Sequence, residues 1–290
     1  MQKFGRTFQL EIGTLDNKTV TVKPPFTIEF NIIRNTLSSA NHATIRIYNL
    51  SKATRDKIRK NITDYSTLRS IVLRAGYQLN IPVIFIGNIF QCFSVREGPN
   101  FITQIEAFDG GYAYTNAYTN LSASQTNQKT VVTTLFKDLQ NVGIKLGACG
   151  TINGTTGRGN SYSGPTCSML SELTNQKFFI DNNQAFVLAD YEYIPTGSKF
   201  TINAETGLLS TPVLEQTILH FDMLFEPSLR VGQKIYLESA NSNVPKGDYK
   251  VVSIQHRGMI SEAVCGEAIS NVGLYANLNN NPLVEVPLLS

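Results

Sequence analysis

The sequence predicts a mainly β protein with an α+β module in its middle, and three observations carry that expectation. Apolar and polar residues alternate from Phe8 to Phe108, apolar spacing turns helical after Gly110-Gly111, and strand-like alternation returns from Phe200 to Ser270. A period of two puts one strand face on a core, whereas recurrence at three and four marks one face of a helix. The implied divisions are a first β-domain over 1–112, an α+β module over 113–199, a second β-domain over 200–270 and an extended arm over 271–290.

In the first division Thr27–Ile32 and Ala43–Tyr48 alternate cleanly, and Ile71–Leu73, Pro82–Ile86 and Ile102–Phe108 add strands. Ser51 is placed to cap a short helix to about Arg59, because its hydroxyl can accept an orphan backbone N–H. Strands with one inserted helix suit a barrel or rolled sheet. Thr115–Gln128 reads as a polar connector. Val131, Val132, Leu135, Phe136, Leu139 and Val142 then recur at helical spacing, with Gly143 as the stop. The Gly/Ser/Thr-rich stretch 149–164 reads as a flexible loop. A second helix is expected from Pro165 to about Phe178, with Met169, Leu170 and Leu173 inward. Phe178–Leu188 reads as a hairpin turning on Asp181-Asn182-Asn183. In the last division the strands are Val213–Phe225, Lys234–Leu237, Tyr249–Gln255 and Glu262–Ala268, with turns at Gly232, Pro245-Lys246-Gly247 and Arg257-Gly258. The Asn- and Leu-rich stretch from Asn271 is expected to be an arm outside any core.

Composition narrows function. Over 290 residues, hydrophobic side chains make up 42% and charged ones only 16%, which suits a surface covered by partner subunits. The net charge is +3, and the densest basic stretch, Arg55, Lys57, Arg59 and Lys60, shares its short helix with Asp56. That pattern fits a solvated helix face better than a groove tracking phosphates. Cys92, Cys149, Cys167 and Cys265 are scattered without ligand spacing, so free, buried thiols are expected and neither a metal nor a cofactor site. Met1–Arg6 lacks the apolar stretch of a signal peptide, and the most apolar segment, Ile81–Phe90, is too short to cross a bilayer.

No catalytic constellation stands out, and no catalytic residue is assigned. His42 lies in a polar turn; His220 shares a strand face with Asp222 but lacks a nucleophile to complete a triad. His256 falls in a hairpin and reads as structural. A glycosidase needs two carboxylates at a cleft, one with a raised pKa. Glu205, Glu215 and Glu226 sit beside turn or strand signals, and Glu172 lies on a helix face. The glycine-rich run with Thr155, Thr156, Gly157, Arg158 and Gly159 lacks the Gly-Lys-Ser/Thr ending of a phosphate-binding loop.

Two series of residues resemble the baseplate hub proteins of tailed phages, related to the late-control protein D group. The N-terminal series is Ala43–Ser51 running into a helix, Ala75-Gly76-Tyr77, Phe85–Ile89 and Phe101–Gly110. The C-terminal series is a Gly207-Leu208…Pro212 turn, a Pro227-x-Leu229-x-x-Gly232 turn, and Gly247-x-Tyr249-x-Val251…His256-x-Gly258. Their order and spacing over Phe26–Ala268 carry the likeness, since each piece alone is only strand-and-turn chemistry.

The resemblance implies two tail-tube-like β-barrel domains per subunit. It implies a homotrimer whose pseudo-six-fold ring matches a three-fold central spike to a six-fold tail tube. Its partners would be copies of itself, the spike, the tube or tube-initiator protein, and the tape measure and baseplate wedge, with DNA only in passage and no membrane insertion. The expected place is the virion tail baseplate, after assembly in the host cytoplasm. Edge pairing between subunits is expected within Thr27–Ile32, Ile71–Gly76 and Val213–Phe225. The chain is shorter than many such hubs and has no fused lysozyme or spike. Two other roles compete: a tail-borne peptidoglycan hydrolase, and a carbohydrate- or receptor-binding module. The second would favour aromatic platforms, and the chain has no Trp, although it has 12 Tyr and 16 Phe.

Overall fold

Alternation becomes burial strand by strand in the N-terminal third of the computed structural model. Described are residues 4–61, 68–78, 80–124, 127–155, 159–195, 197, 200–240, 244–264, 266–277 and 281–289. The elements run β1 (Arg6–Gly13), β2 (Thr19–Val22), β3 (Ile28–Asn35), β4 (His42–Tyr48), α1 (Lys52–Ile58), β5 (Ser70–Tyr77), β6 (Val83–Glu97) and β7 (Asn100–Phe108). On β3 every second side chain, Ile28, Phe30, Ile32 and then Arg34, is buried. The Ser51 hydroxyl caps α1, accepting from the Thr54 amide at 3.2 Å. His42, expected in a polar turn, starts β4 instead, where backbone pairing to Ile33 and Phe108 overrides its polarity.

The middle of the chain holds α2 (Gly111–Asn116), β8 (Tyr118–Ala123), α3 (Gln128–Asn141), β9 (Lys145–Cys149), β10 (Asn160–Pro165), α4 (Thr166–Leu173), β11 (Phe178–Asp181) and β12 (Gln184–Val187). The polar connector therefore contains a helix and a strand, and the glycine-rich stretch ends in β10, which pairs antiparallel with β8. The ladder is made by backbone groups, and only a few apolar side chains, Leu121, Ala123 and Tyr162, reach the neighbouring core, too few to stand out in a polar stretch. Asn127 caps α3, accepting from the Lys129 amide at 2.8 Å, and Gly143 at φ +86° ends it. α4 is shorter than expected, because Asn175 and Gln176 turn left-handed (φ 52° and 63°) and release Phe178 into β11. The hairpin turns on Asn182 and Asn183, both at positive φ (49° and 61°) as a primed two-residue turn requires. β12 also pairs parallel with β9.

The remainder comprises β13 (Glu192–Tyr193), β14 (Thr201–Ile202), β15 (Val213–Glu215), β16 (Ile218–Leu224), β17 (Lys234–Leu237), β18 (Gly247–Ile260), β19 (Ala268–Tyr275) and β20 (Val284–Glu285). The segment expected as one strand over Val213–Phe225 is the hairpin β15–β16, with Gln216 at φ 56° in its turn. Gly258 makes no turn: it lies within β18, opposite both Phe30 and Ala268. A Cβ there would stand 2.6 Å from the Ala268 Cα, so the glycine permits close strand approach. The partner strand begins at Ala268, and Asn271–Tyr275, expected in the arm, completes it with Val272 and Leu274 fully buried. β20 pairs parallel with β13.

Among the described residues the main sheet has 13 strands, and its main path is β15-β16-β19-β18-β3-β4-β7-β6-β5-β1-β2. Strands from both ends of the chain thus share one sheet through β3–β18, so the fold is mainly β, with 51% strand and 13% helix. No closed barrel is formed among the described strands. Among the described residues three buried clusters form the core: one under β1–β7, one under β16–β19, and one between α3, α4 and the β9/β11/β12 sheet.

Candidate assembly surface

A buried polar node ties the three clusters together. Arg34, the fourth inward residue of β3, donates from Nε and Nη2 to the two Asp181 carboxylate oxygens at 2.7 and 2.6 Å. Its Nη1 reaches the Leu229 carbonyl at 3.4 Å. Asn41 donates to the Ile180 carbonyl at 2.9 Å, and Asp109 accepts the Asn182 and Asn183 amides at 2.5 and 2.9 Å. Burial, then the charge of Asp181, pushes the Asp109 carboxyl up to about 7, against the pull of those amides and Arg34. On β18, His256 is wholly buried with Nδ1 2.8 Å from the Ser270 hydroxyl. Burial, aided by Arg34, pushes its pKa down to about 3. The node is architectural: its charges face one another and the backbone.

The run from β15 to β6 contains eight strands, each antiparallel to its neighbours. One face is a polar ladder. Asp222 accepts from Asn271 at 3.0 Å, Gln255 donates to Asn31 at 2.8 Å, and Arg46 pairs with Glu29 and Glu97 at 3.1 and 2.9 Å. β3 and β5 lie inside the sheet, so Thr27–Ile32 and Ile71–Gly76 are not edges as expected. Alternation reports a buried face and carries no information about lateral partners. The third expected segment, Val213–Phe225, does hold an edge, and β2 and part of β6 are open as well among the described residues. β15 ends the path, and its Val213, Leu214 and Glu215 are all exposed. On β6, Val83–Asn88 pair with β5, the Ile89 amide donates to the Arg69 carbonyl, and Cys92 exchanges both backbone bonds with Lys60. From Phe93 to Glu97 that side has no strand beside it among the described residues.

The other residues singled out in the sequence are dispersed. His220 sits on β16 opposite Gly273 and Val213, and Asp222 bonds Asn271 rather than His220. Glu226 is buried and accepts from the Ser228 hydroxyl at 2.5 Å; Glu172 is exposed on α4. Glu205 lines a shallow cavity of about 540 Å³ with Glu238 and Lys246. Lys246, 2.7 Å from Glu238, holds that carboxyl low, opposite to what a general acid requires. Lys60 is buried against Cys92, unlike the solvated face expected, while Arg55 lies 4.1 Å over the Phe101 ring. Cys92, Cys149 and Cys167 are free and buried, and burial raises all three thiols. Cys265, Thr156, Gly157 and Arg158 lie outside the described residues. Among the described residues no group of three or more His, Cys, Asp and Glu could hold a metal, and no helix is long and apolar enough to cross a membrane.

Solved structures share this fold at low identity. The 43 kDa tail protein of prophage MuSo2 from Shewanella oneidensis superposes with a TM-score of 0.61 at 7% identity, over 97% of this chain and 100% of that one. A tail protein from Neisseria meningitidis MC58 gives 0.58 at 9%, over 94% and 97%. An Escherichia coli type VI secretion component, described as structurally similar to T4 bacteriophage tail proteins gp27 and gp5, gives 0.54 at 10%, over 86% and 73%. One curated relative, a phosphoglucosamine mutase of Legionella pneumophila (strain Corby), is 29% identical over 158 residues, 48% of this chain. The chain spans about a third of that enzyme's length, 35%. The family model described as baseplate hub gp41 matches residues 8–258, which take in the middle module and, β19 apart, nearly all of the β15-to-β6 run. By that match the chain belongs to the baseplate hub gp41 family, a structural component of phage tails.

Proposed function

We propose that the chain forms the hub ring of a phage baseplate, a homotrimer joining a three-fold central spike to the six-fold tail tube, and that it does so without catalysis. The observation that carries this is the β3–β18 pairing, which sets two β cores side by side in one continuous wall. Two such cores in each of three subunits would present six tube-like units to the tube and three subunits to the spike. The polar, internally paired face of that wall suits a channel lining, because compensated charges give a passing polyanion no fixed site. Tube, tape measure and wedge proteins are the further partners this reading assigns, in a virion tail assembled in the host cytoplasm.

The mass of the purified protein, alone and with the spike of the same phage, tests the reading. A trimer, formed alone or on the spike, supports it. A monomer under both conditions overturns it. Loss of turbidity from purified cell walls would instead support the hydrolase role, against which the low-held Glu238 counts.

A further inference from the structure

The eight-strand run ends in two open edges, β15 and the far half of β6, whose backbone directions follow from their hydrogen bonds. In an antiparallel strand the N–H and C=O of one residue point to the same side, and successive residues alternate. Cys92 directs both groups outward to Lys60, so Ser94 and Arg96 direct theirs to the open side beyond. On β16, the Asp222 carbonyl accepts from Leu209 and Ser210 on the β15 side, whereas the Thr217 carbonyl faces β19 through Ala276. His220 therefore faces β15, its partner Val213 faces back, and Leu214 directs its N–H and C=O outward.

We propose that these edges meet between copies of this chain: β15 of one copy pairs antiparallel with Phe93–Glu97 of the next. Leu214 stands opposite Ser94, and Val213 opposite Val95. This rests on the ring reading above and names the strands that close it. Three features favour a second copy as occupant. An even run of alternating strands leaves β15 and β6 antiparallel, so each added copy continues the alternation. Val213 shares a face with His220 and Asp222, and Val95 with Glu97 and Arg46, so the polar face also continues across the joint. Finally, the register covers Val213 with Val95, which are 55% and 40% exposed in the single chain. A closed ring then leaves neither edge open.

Facing side chains in a non-hydrogen-bonded pair lie close enough for a disulfide. The double variant Val95→Cys/Val213→Cys, oxidised and run without reductant, is expected to form covalent multimers. A mixture of the two single variants should stop at covalent dimers, and wild type and each single variant alone should give neither. Leu214→Pro removes only an outward N–H, so it should weaken self-association about tenfold or more while the monomer melts at an unchanged temperature. An oligomer of full mass that neither cross-links nor responds to Leu214→Pro overturns these edges but leaves the ring standing. A chain that stays monomeric with and without the spike overturns both.

Discussion

Arg34 and Asp181 form a two-pronged ion pair, 2.6–2.7 Å long, at a place where neither side chain is more than 2% exposed. The pair links β3 of the wall to the β11–β12 hairpin of the middle module, so it fixes one unit against the other. Removing one partner strands a buried charge, which typically costs about 3–5 kcal/mol, whereas replacing both with apolar residues costs far less. Urea unfolding at pH 7 should show Arg34→Leu strongly destabilised and Arg34→Leu/Asp181→Leu closer to wild type. Equal losses in the single and double variants would contradict this.

Asp109 should make part of the stability fall as pH rises. Its folded pKa of about 7 lies above the ordinary carboxylate value of 3.8, so the folded state holds the proton more tightly. The contribution is complete below about pH 4 and is lost up to about pH 7, at no more than ~1.4 kcal/mol per unit. Stability measured from pH 4 to 8 should show this downward component in wild type and not in Asp109→Asn.

His256 works in the opposite direction. Its folded pKa of about 3 lies below the unfolded 6.5, so its contribution is present above pH 6.5 and lost as pH falls. Between pH 6.5 and 5 wild type should lose up to about 2 kcal/mol more than His256→Gln, which has no ionisable group there. Matched acid-induced losses in the two proteins would rule out the buried neutral imidazole.

Gly258 is a contact between strands, so Gly258→Val should destabilise by about 1–3 kcal/mol through overpacking against Ala268. Thermal unfolding measures this directly. Were the residue an exposed turn, the change would be nearly silent.

Much of the architecture is legible in the sequence. The alternation of Ile28, Phe30 and Ile32, the Ser51 cap, the helical spacing of Val131–Leu139 and the Asn182-Asn183 turn all depend on neighbours within a few residues, and each recurs in the structure. Local misreadings had local causes as well. The polar 115–128 and 149–164 stretches conceal β8 and β10, which send only a few apolar side chains to the core, and Gly258 reads as a turn because the strand that crowds it starts ten residues later.

Family likeness, too, was carried by the sequence, since ordered turns such as Gly207-Leu208…Pro212 and Gly247…Gly258 survive as spacing. What only the tertiary structure decided was which strands neighbour which. The β3–β18 pairing joins residues more than 200 positions apart, and the Arg34–Asp181 bridge spans 147. It also took β3 and β5 inside the sheet, kept β15 of the expected Val213–Phe225 at an edge, and left the far half of β6 open. A strand's side-chain pattern records which face is buried; its lateral partners bond through backbone groups that every sequence shares, so edges become visible only when the whole sheet is assembled.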